Sequence, residues 1–248
     1  FLPQSGDVNA INDIDIRFVY EAVDGVIWVG TNTAGLERFD PATGKFRNFR
    51  HDLADPESLI DNSINGIAEG PAGSLWVATR KGLSRLDQKT GSFEHFRFDP
   101  EAQASLSNNW VTALHLGESG SLWIGTIGGG VNRWNPDSQD FTHYDLAELT
   151  DGPPQRNHVQ AIHEDENGTL WAGTREGLVR LDSLTGLADY VDLGESNGYL
   201  PDITSLKQDS ANRLWLTTMN QGLLIVDPES GDWRPANLSS QGAASNLP

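Results

Sequence analysis

The sequence predicts an all-β protein built from one repeated unit, and three observations support this prediction. A cassette of the approximate form Gly-x-Leu-Trp-x-Gly-Thr, closed by Asp or Asn, occurs five times in 248 residues. The cassette tryptophans lie 48, 47, 48 and 44 residues apart, and a fixed period in the forties indicates a repeat architecture. Apolar and β-branched residues flank each tryptophan, as strands require. The cassettes span residues 25–40, 73–87, 120–135, 168–182 and 212–227.

Each repeat is predicted to form four short strands separated by turns. In the second repeat these strands are 64–68, 74–79, 83–87 and 92–96, and glycines lie in the turns between them. Four antiparallel strands per unit, repeated radially, form the blades of a β-propeller. We therefore expect a single β-propeller region over residues 1–248, with five blades visible. The approximate repeats are 14–61, 62–108, 109–156, 157–200 and 201–244.

The repeat tryptophans are predicted to pack between blades rather than to bind a ligand. A single blade cannot bury both of its faces, so these side chains and their aliphatic neighbours become buried only when blades stack. Each fully buried aliphatic side chain then contributes roughly 1.5–3 kcal/mol. The tryptophans are Trp28, Trp76, Trp123, Trp171 and Trp215.

Both ends of the chain resemble connections between blades. Ser245-Asn246-Leu247 in the tail 237–248 is similar to Ser107-Asn108-Asn109, and the head 1–13 resembles a connection that follows an earlier fourth strand. We therefore expect a fragment of a larger ring with seven or more blades. A self-contained ring of five blades is the alternative.

Composition excludes several function classes. The formal charge is −18, and an acidic field of this size repels phosphate backbones, which argues against nucleic acid as a partner. No cysteine is present, so thiolate catalysis and zinc-thiolate sites are excluded. No apolar run approaches the roughly 20 residues of a spanning helix, so direct membrane insertion of this chain is not expected.

The repeat closely resembles that of the two-component regulator propeller family. The segment 105–133 fits the family pattern Ser-Leu-Ser-Asn-Asn-x-Val through Gly-x-Leu-Trp-x-Gly-Thr to Arg, and Asp-Pro-Glu at 55–57 and 99–101 matches the family's connections. The fifth repeat departs from the pattern, because Thr217 replaces a glycine and Ile225 replaces an arginine. The resemblance covers all five repeats.

The resemblance implies a non-catalytic sensor. Such propellers are usually the periplasmic part of a bacterial membrane receptor with a histidine kinase or diguanylate cyclase output, whose motifs lie outside this sequence. The expected partner is a small molecule, such as a glycan fragment, or a protein, and a homodimer is one expected arrangement. No cofactor and no metal ion are expected.

Candidate binding residues come from the loops that open on one face of a propeller, where recognition residues concentrate. Trp110 stands out because its counterparts in the other repeats are polar, although it also suits a cover over the core. The asparagines that precede the first strands also suit turn caps. The candidates are Asn62, Arg80, Lys81, Asn109, Trp110, Asn157, His158 and Arg175.

Two other functions stay open from the sequence. A propeller enzyme similar to streptogramin lyases would need a histidine and acidic groups on one face, for which His158, His163 and Glu164 are the local candidates. A structural scaffold for oligomerisation is the third hypothesis. The segment 165–168 suggests a calcium loop, but it lacks the later ligands and is predicted to be a β-turn.

Overall fold

The computed structural model describes residues 10–70, 73–117 and 120–236. These residues form five four-stranded antiparallel sheets, and in each sheet strands consecutive in sequence are hydrogen-bonded neighbours. The all-β propeller prediction is therefore confirmed for the five repeats. The tail 237–248 and the first nine residues of the head 1–13, which we interpreted as connections, lie outside the described residues.

The strands follow the order predicted from the repeat. The first sheet contains β1 (Ile16–Glu21), β2 (Ile27–Thr31), β3 (Leu36–Asp40) and β4 (Lys45–Phe49). The second contains β5 (Ile64–Glu69), β6 (Leu75–Thr79), β7 (Leu83–Leu86) and β8 (Phe93–Phe96). The third contains β9 (Val111–Leu116), β10 (Leu122–Thr126), β11 (Val131–Asn135) and β12 (Asp140–Tyr144). The fourth contains β13 (Val159–Glu164), β14 (Thr169–Thr174), β15 (Gly177–Asp182) and β16 (Ala188–Val191). The fifth contains β17 (Ile203–Gln208), β18 (Leu214–Thr218), β19 (Leu223–Val226) and β20 (Trp233–Pro235).

The connection between the third and fourth sheets contains two short helices that the sequence analysis did not predict. These are α1 (Leu146–Leu149) and a 3-10 helix (Pro154–Asn157). The carboxylate of Asp145 accepts the backbone N–H of Glu148 at 2.9 Å and so caps α1. A single helical turn carries too little periodicity to be visible in sequence.

Neighbouring sheets approach each other closely at the glycine that precedes the cassette threonine. A Cβ atom on Gly30 would lie 2.6 Å from Cγ2 of Ile64, and one on Gly173 would lie 2.5 Å from Cγ2 of Ile203. No side chain fits beside Gly30 or Gly173, and the second sheet has only the methyl group of Ala78 at this position. The glycine therefore lets the innermost strand of the next sheet pack directly on the second strand of its own sheet.

The cassette tryptophans lie in the contacts between sheets. Trp28 belongs to one apolar cluster with Ile64 and Ile67 of the following sheet, and the next three tryptophans pack in the same way. These four side chains are at most 1% exposed. Trp215 is only half-buried, since no described sheet follows it.

The cassette threonine closes the turn into the third strand. The hydroxyl of Thr79 donates to the carbonyl oxygen of Gly82 at 2.7 Å, and the same bond recurs in every sheet. The glycine has a positive φ each time, +135° at Gly82, which disfavours any residue with a Cβ. The Thr and Gly of the cassette therefore specify one turn.

Asp165 stabilises the turn at residues 165–168. One of its carboxylate oxygens accepts the N–H of Thr169 at 3.0 Å, and the other accepts the indole N–H of Trp171 at 2.9 Å. Gly168 has a φ of +79° and donates to the carbonyl of Asp165. The prediction of a β-turn at these residues is confirmed.

The five sheets form an array in which the first and the fifth sheet are outermost. Each of these two has an outer flank, a face that is more exposed than the equivalent face of the sheets between them. Val19 is 61% exposed, whereas Ile67 and Leu206 at the same repeat position are 2% and 4% exposed. On the opposite flank Leu223 is half-buried, whereas its counterpart Leu178 is fully buried. Within the described ranges, one apolar face at each end therefore has no covering sheet.

We predict that Gly82→Ala lowers the free energy of unfolding by about 3 kcal/mol, since it adds backbone strain to a steric clash. The new Cβ would lie 2.6 Å from the carbonyl oxygen of Phe96. Gly44→Ala is the matched control, because Gly44 has a φ of +68° and its added methyl group would have no atom within 4 Å. It should cost about 1 kcal/mol. Urea unfolding measures both, and equal losses would contradict the account of the turn.

Candidate functional site

The innermost strands of the five sheets line a cavity of about 640 Å³ at the centre of the array. This volume lies within the range of pockets that bind small molecules. One polar residue from each innermost strand faces the cavity, next to a residue that is small in four of the five sheets. The polar residues are Arg17, Asn65, Thr112, Gln160 and Thr204.

The side chains of this polar ring also join neighbouring sheets. The amide nitrogen of Asn65 donates to the carbonyl oxygen of Val111 at 2.8 Å, and that of Gln160 donates to the carboxylate of Asp202 at 2.6 Å. These bonds use the amide N–H groups. The amide oxygens of Asn65 and Gln160 accept no hydrogen bond within the described residues, which leaves them available for ligand hydroxyl groups.

Two of the predicted binding residues, Arg80 and Trp110, contact each other at the cavity. The guanidinium of Arg80 lies 5.6 Å from the centre of the Trp110 ring, within the range of a cation–π contact. Trp110 is 45% exposed, and its backbone N–H donates to the side chain of Asn108 at 2.9 Å. This pair therefore offers a charged and an aromatic surface to the cavity.

The three predicted asparagines hold the connections that precede the first strands. Asn62 accepts the backbone N–H of His51 at 2.8 Å, and Asn109 accepts that of Phe98 at 2.8 Å. Asn157 binds the carboxylate of Asp145 at 2.7 Å. None of the three asparagines lines the cavity, and each has the loop-fixing contact that was the alternative interpretation. A binding role for them stays a prediction.

Lys81, His158 and Arg175 also lie outside the cavity lining. The ammonium of Lys81 pairs with the carboxylate of Asp61 at 3.0 Å. The carbonyl oxygen of His158 accepts the backbone N–H of Arg175 at 3.1 Å. Binding by these three side chains likewise stays a prediction.

The histidines considered for a lyase-like site do not converge. His158 precedes β13 and His163 lies near its end, five residues and therefore about 16 Å away along an extended strand. Glu164 accepts the indole N–H of Trp123 at 3.3 Å, and the ring of His163 bonds to Gln208 at 2.9 Å. Consecutive side chains of a strand point to opposite faces, so His163 and Glu164 of β13 do not share one face of the sheet. A propeller enzyme stays a hypothesis.

Lys207 is a cavity residue that the sequence analysis missed. Its counterparts in the other four repeats are a tyrosine, an alanine and two histidines, so the repeat gives no reason to single out this position. Its charge in an otherwise acidic chain was the only available signal. Among the described residues, no group of three or more His, Asp or Glu side chains is placed to hold a metal ion.

The chain is similar to extracellular domains of two component systems. The model of the two component regulator propeller family matches residues 58–81, 105–128 and 154–176. The extracellular domain of the hybrid two component system BT3049 from B. thetaiotaomicron is 29% identical over 91% of this chain, with a TM-score of 0.74. Each matched segment contains one cassette tryptophan, namely Trp76, Trp123 or Trp171. It spans 29% of the length of the BT3049 domain.

More distant structures show the fold alone. The extracellular domain of BT4673 from B. thetaiotaomicron is 22% identical over 94% of this chain and 37% of its own length, with a TM-score of 0.55. A streptogramin B lyase is 17% identical over 94% of this chain and 73% of its own length, with a TM-score of 0.69. Among curated protein sequences, none matches this chain significantly. Neither described helix has the length and apolar character needed to span a membrane.

A histidine pair lies beside the cavity of this propeller. The rings of His115 and His163 are 5.1 Å apart in an edge-to-face contact. Burial, and then the nearby His163 and Lys207, lower the pKa of His115 to about 4. His115 is therefore neutral at pH 7, and protonating it would place a charge in a site that already holds the Lys207 cation.

We predict that this histidine makes the propeller less stable as the pH falls. The pKa of an unfolded histidine is about 6.5, so between pH 6.5 and 4 the unfolded chain binds the proton more readily and stability is lost. From pH 7 to pH 5 the free energy of unfolding should fall by on the order of 1 to 2 kcal/mol, after allowance for the partial exposure of His115. His115→Gln should remove this part of the pH dependence. Identical urea-unfolding profiles for the variant and the wild type would contradict the assignment.

Proposed function

We propose that this chain is the recognition part of an extracytoplasmic sensor and that it binds its ligand in the central cavity. The observation that carries the proposal is the 29% identity, over 91% of the chain, to an extracellular domain of a hybrid two component system. In this proposal the propeller binds without catalysis. It belongs to a bacterial membrane receptor and faces the periplasm.

The cavity supports this proposal because its lining differs from repeat to repeat. The cassette residues recur for structural reasons, whereas Arg80, Trp110 and Gln160 occupy positions that the repeat leaves free. Variable side chains on a rigid scaffold are the usual basis of recognition. The partner is then a small molecule, such as a glycan fragment, and a protein partner or a homodimer would use the outer surfaces.

Ligand binding would act on a receptor by population shift. A ligand that binds one receptor arrangement more tightly than another moves the balance by its difference in affinity. The cavity collects residues from all five sheets, so a bound ligand contacts the whole array at once. A small change in the relative position of the sheets would thereby also move the first and last sheets of the chain.

We predict that soluble metabolites or glycan fragments raise the melting temperature of the chain and that Trp110→Ala abolishes the effect. Thermal shift over a compound library measures this. Trp233→Ala is the matched control, because Trp233 is 37% exposed and does not line the cavity. The proposal fails if no compound stabilises the wild type, or if Trp110→Ala and Arg80→Gln leave every stabilisation intact.

We also propose that further sheets of the same kind continue the ring beyond both outer flanks. The support is the exposure of Val19 where the equivalent Ile67 and Leu206 are buried. A sheet that follows the fifth would meet Thr217 in place of the usual glycine. It would therefore need a side chain smaller than Ile or Val at the position equivalent to Ile203.

Cysteine labelling tests this continuation, because the chain contains no native cysteine. Val19→Cys should react with a soluble maleimide in the 248-residue chain and should be protected in the complete gene product. Val23→Cys is the control, since Val23 is 97% exposed in a turn and should react in both. Equal labelling of Val19→Cys in the two proteins would exclude a covering sheet on this flank.

A further inference from the structure

The cavity has the opposite charge to the rest of the protein. The whole chain has 35 acidic and 17 basic residues and a formal charge of −18. The described residues that line the cavity nevertheless include three cations, Arg17, Arg80 and Lys207, and no Asp or Glu. A cleft lined by one sign of charge concentrates ligands of the opposite sign.

These three cations are not neutralised by neighbouring side chains. Four other basic side chains form salt bridges, such as Lys81 with Asp61 and Arg180 with Asp189. In the part of the chain that the structure describes, no carboxylate lies within ion-pair distance of Arg17, Arg80 or Lys207. Their charges are therefore available to a ligand.

One carboxylate, that of Asp202, contacts a side chain of the cavity lining. Asp202 accepts the amide N–H of Gln160 at 2.6 Å, just outside the lining. Its hydrogen bond turns the amide oxygen of Gln160 toward other donors. Asp202 itself does not line the cavity, whereas the amide of Gln160 does and offers its oxygen to ligand hydroxyl groups.

We infer that the cavity selects a small carboxylate-bearing ligand over its neutral analogue. The inference rests on the proposed function, since it names the chemical class that the same cavity takes. The carboxylate pairs with Arg80 or Lys207, because charge-assisted hydrogen bonds are the stronger ones and guanidinium groups match carboxylates in shape. An apolar ring face of the ligand stacks on Trp110, and ligand hydroxyl groups donate to the amide oxygens of Asn65 and Gln160.

Isothermal titration with matched pairs tests the inference. The probes are glucuronate against glucose, trigalacturonate against maltotriose, and benzoate against benzyl alcohol. We expect the acid of at least one pair to bind at least tenfold more tightly than its neutral partner at low salt. Raising the salt concentration should reduce this preference, because it screens the exposed charges.

Two double variants with the same change in net charge separate the cavity from the general field. Arg80→Gln with Lys207→Gln should lose the preference for the acid. Lys89→Gln with Arg180→Gln removes two cations away from the cavity and should retain it. Melting temperatures without ligand show whether each variant is folded.

The outcomes distinguish this inference from the proposed function. If the neutral partners bind as tightly as the acids and Trp110→Ala abolishes both, the cavity is a binding site and the anion preference is wrong. If the acids bind but the Arg80 and Lys207 variant retains the preference, the anion preference lies outside the cavity and the inference is overturned. If no probe binds, or cavity variants change nothing, the inference and the small-molecule site fall together.

Discussion

The close approach of neighbouring sheets at the cassette glycines is the constraint on which the rest of the structure depends. Because no side chain separates Gly30 from Ile64, or Gly173 from Ile203, the innermost strand of the next sheet packs there on the second strand of the preceding sheet, and the small Ala78 holds the same position in the second sheet. The tryptophans fill the wider part of the same contact. The innermost strands are thereby brought together around one centre, and the cavity is a consequence of this packing rather than a separate feature.

This constraint divides the residues into two groups with different roles. The glycine, tryptophan and threonine of the cassette serve contacts and turns that every sheet needs, so they recur. The residues around the cavity meet no such requirement. Trp110 and Lys207 differ from all their counterparts in chemistry, and Arg80 shares its residue type with Arg175 alone. The cassette residues, which relate the chain to two-component regulator propellers, are therefore not the residues that would bind a ligand.

The repeat predicted the strands of the second sheet to within one residue, because the pattern around Trp76 reflects contacts that are nearly local. Trp110, which was singled out because its counterparts are polar, lies in the cavity lining, and its binding role stays a prediction. The repeat could not separate a loop contact from a ligand contact at Asn62, Asn109 or Asn157, since both use the same amide. Lys207 was missed because the cavity lining depends on how sheets meet, which no single repeat encodes. The short helices after Asp145 were missed because a single turn carries too little periodicity.

The most direct test of the account is a measurement of which tryptophan contacts a ligand. The chain has eight tryptophans, whose ¹⁵N-labelled indole groups give separate NMR signals, and Trp110→Phe identifies the signal of Trp110. On titration with trigalacturonate, the account predicts a shift of the Trp110 indole while the buried Trp28, Trp76, Trp123 and Trp171 stay in place. Shifts of the cassette tryptophans with an unchanged Trp110 would contradict it.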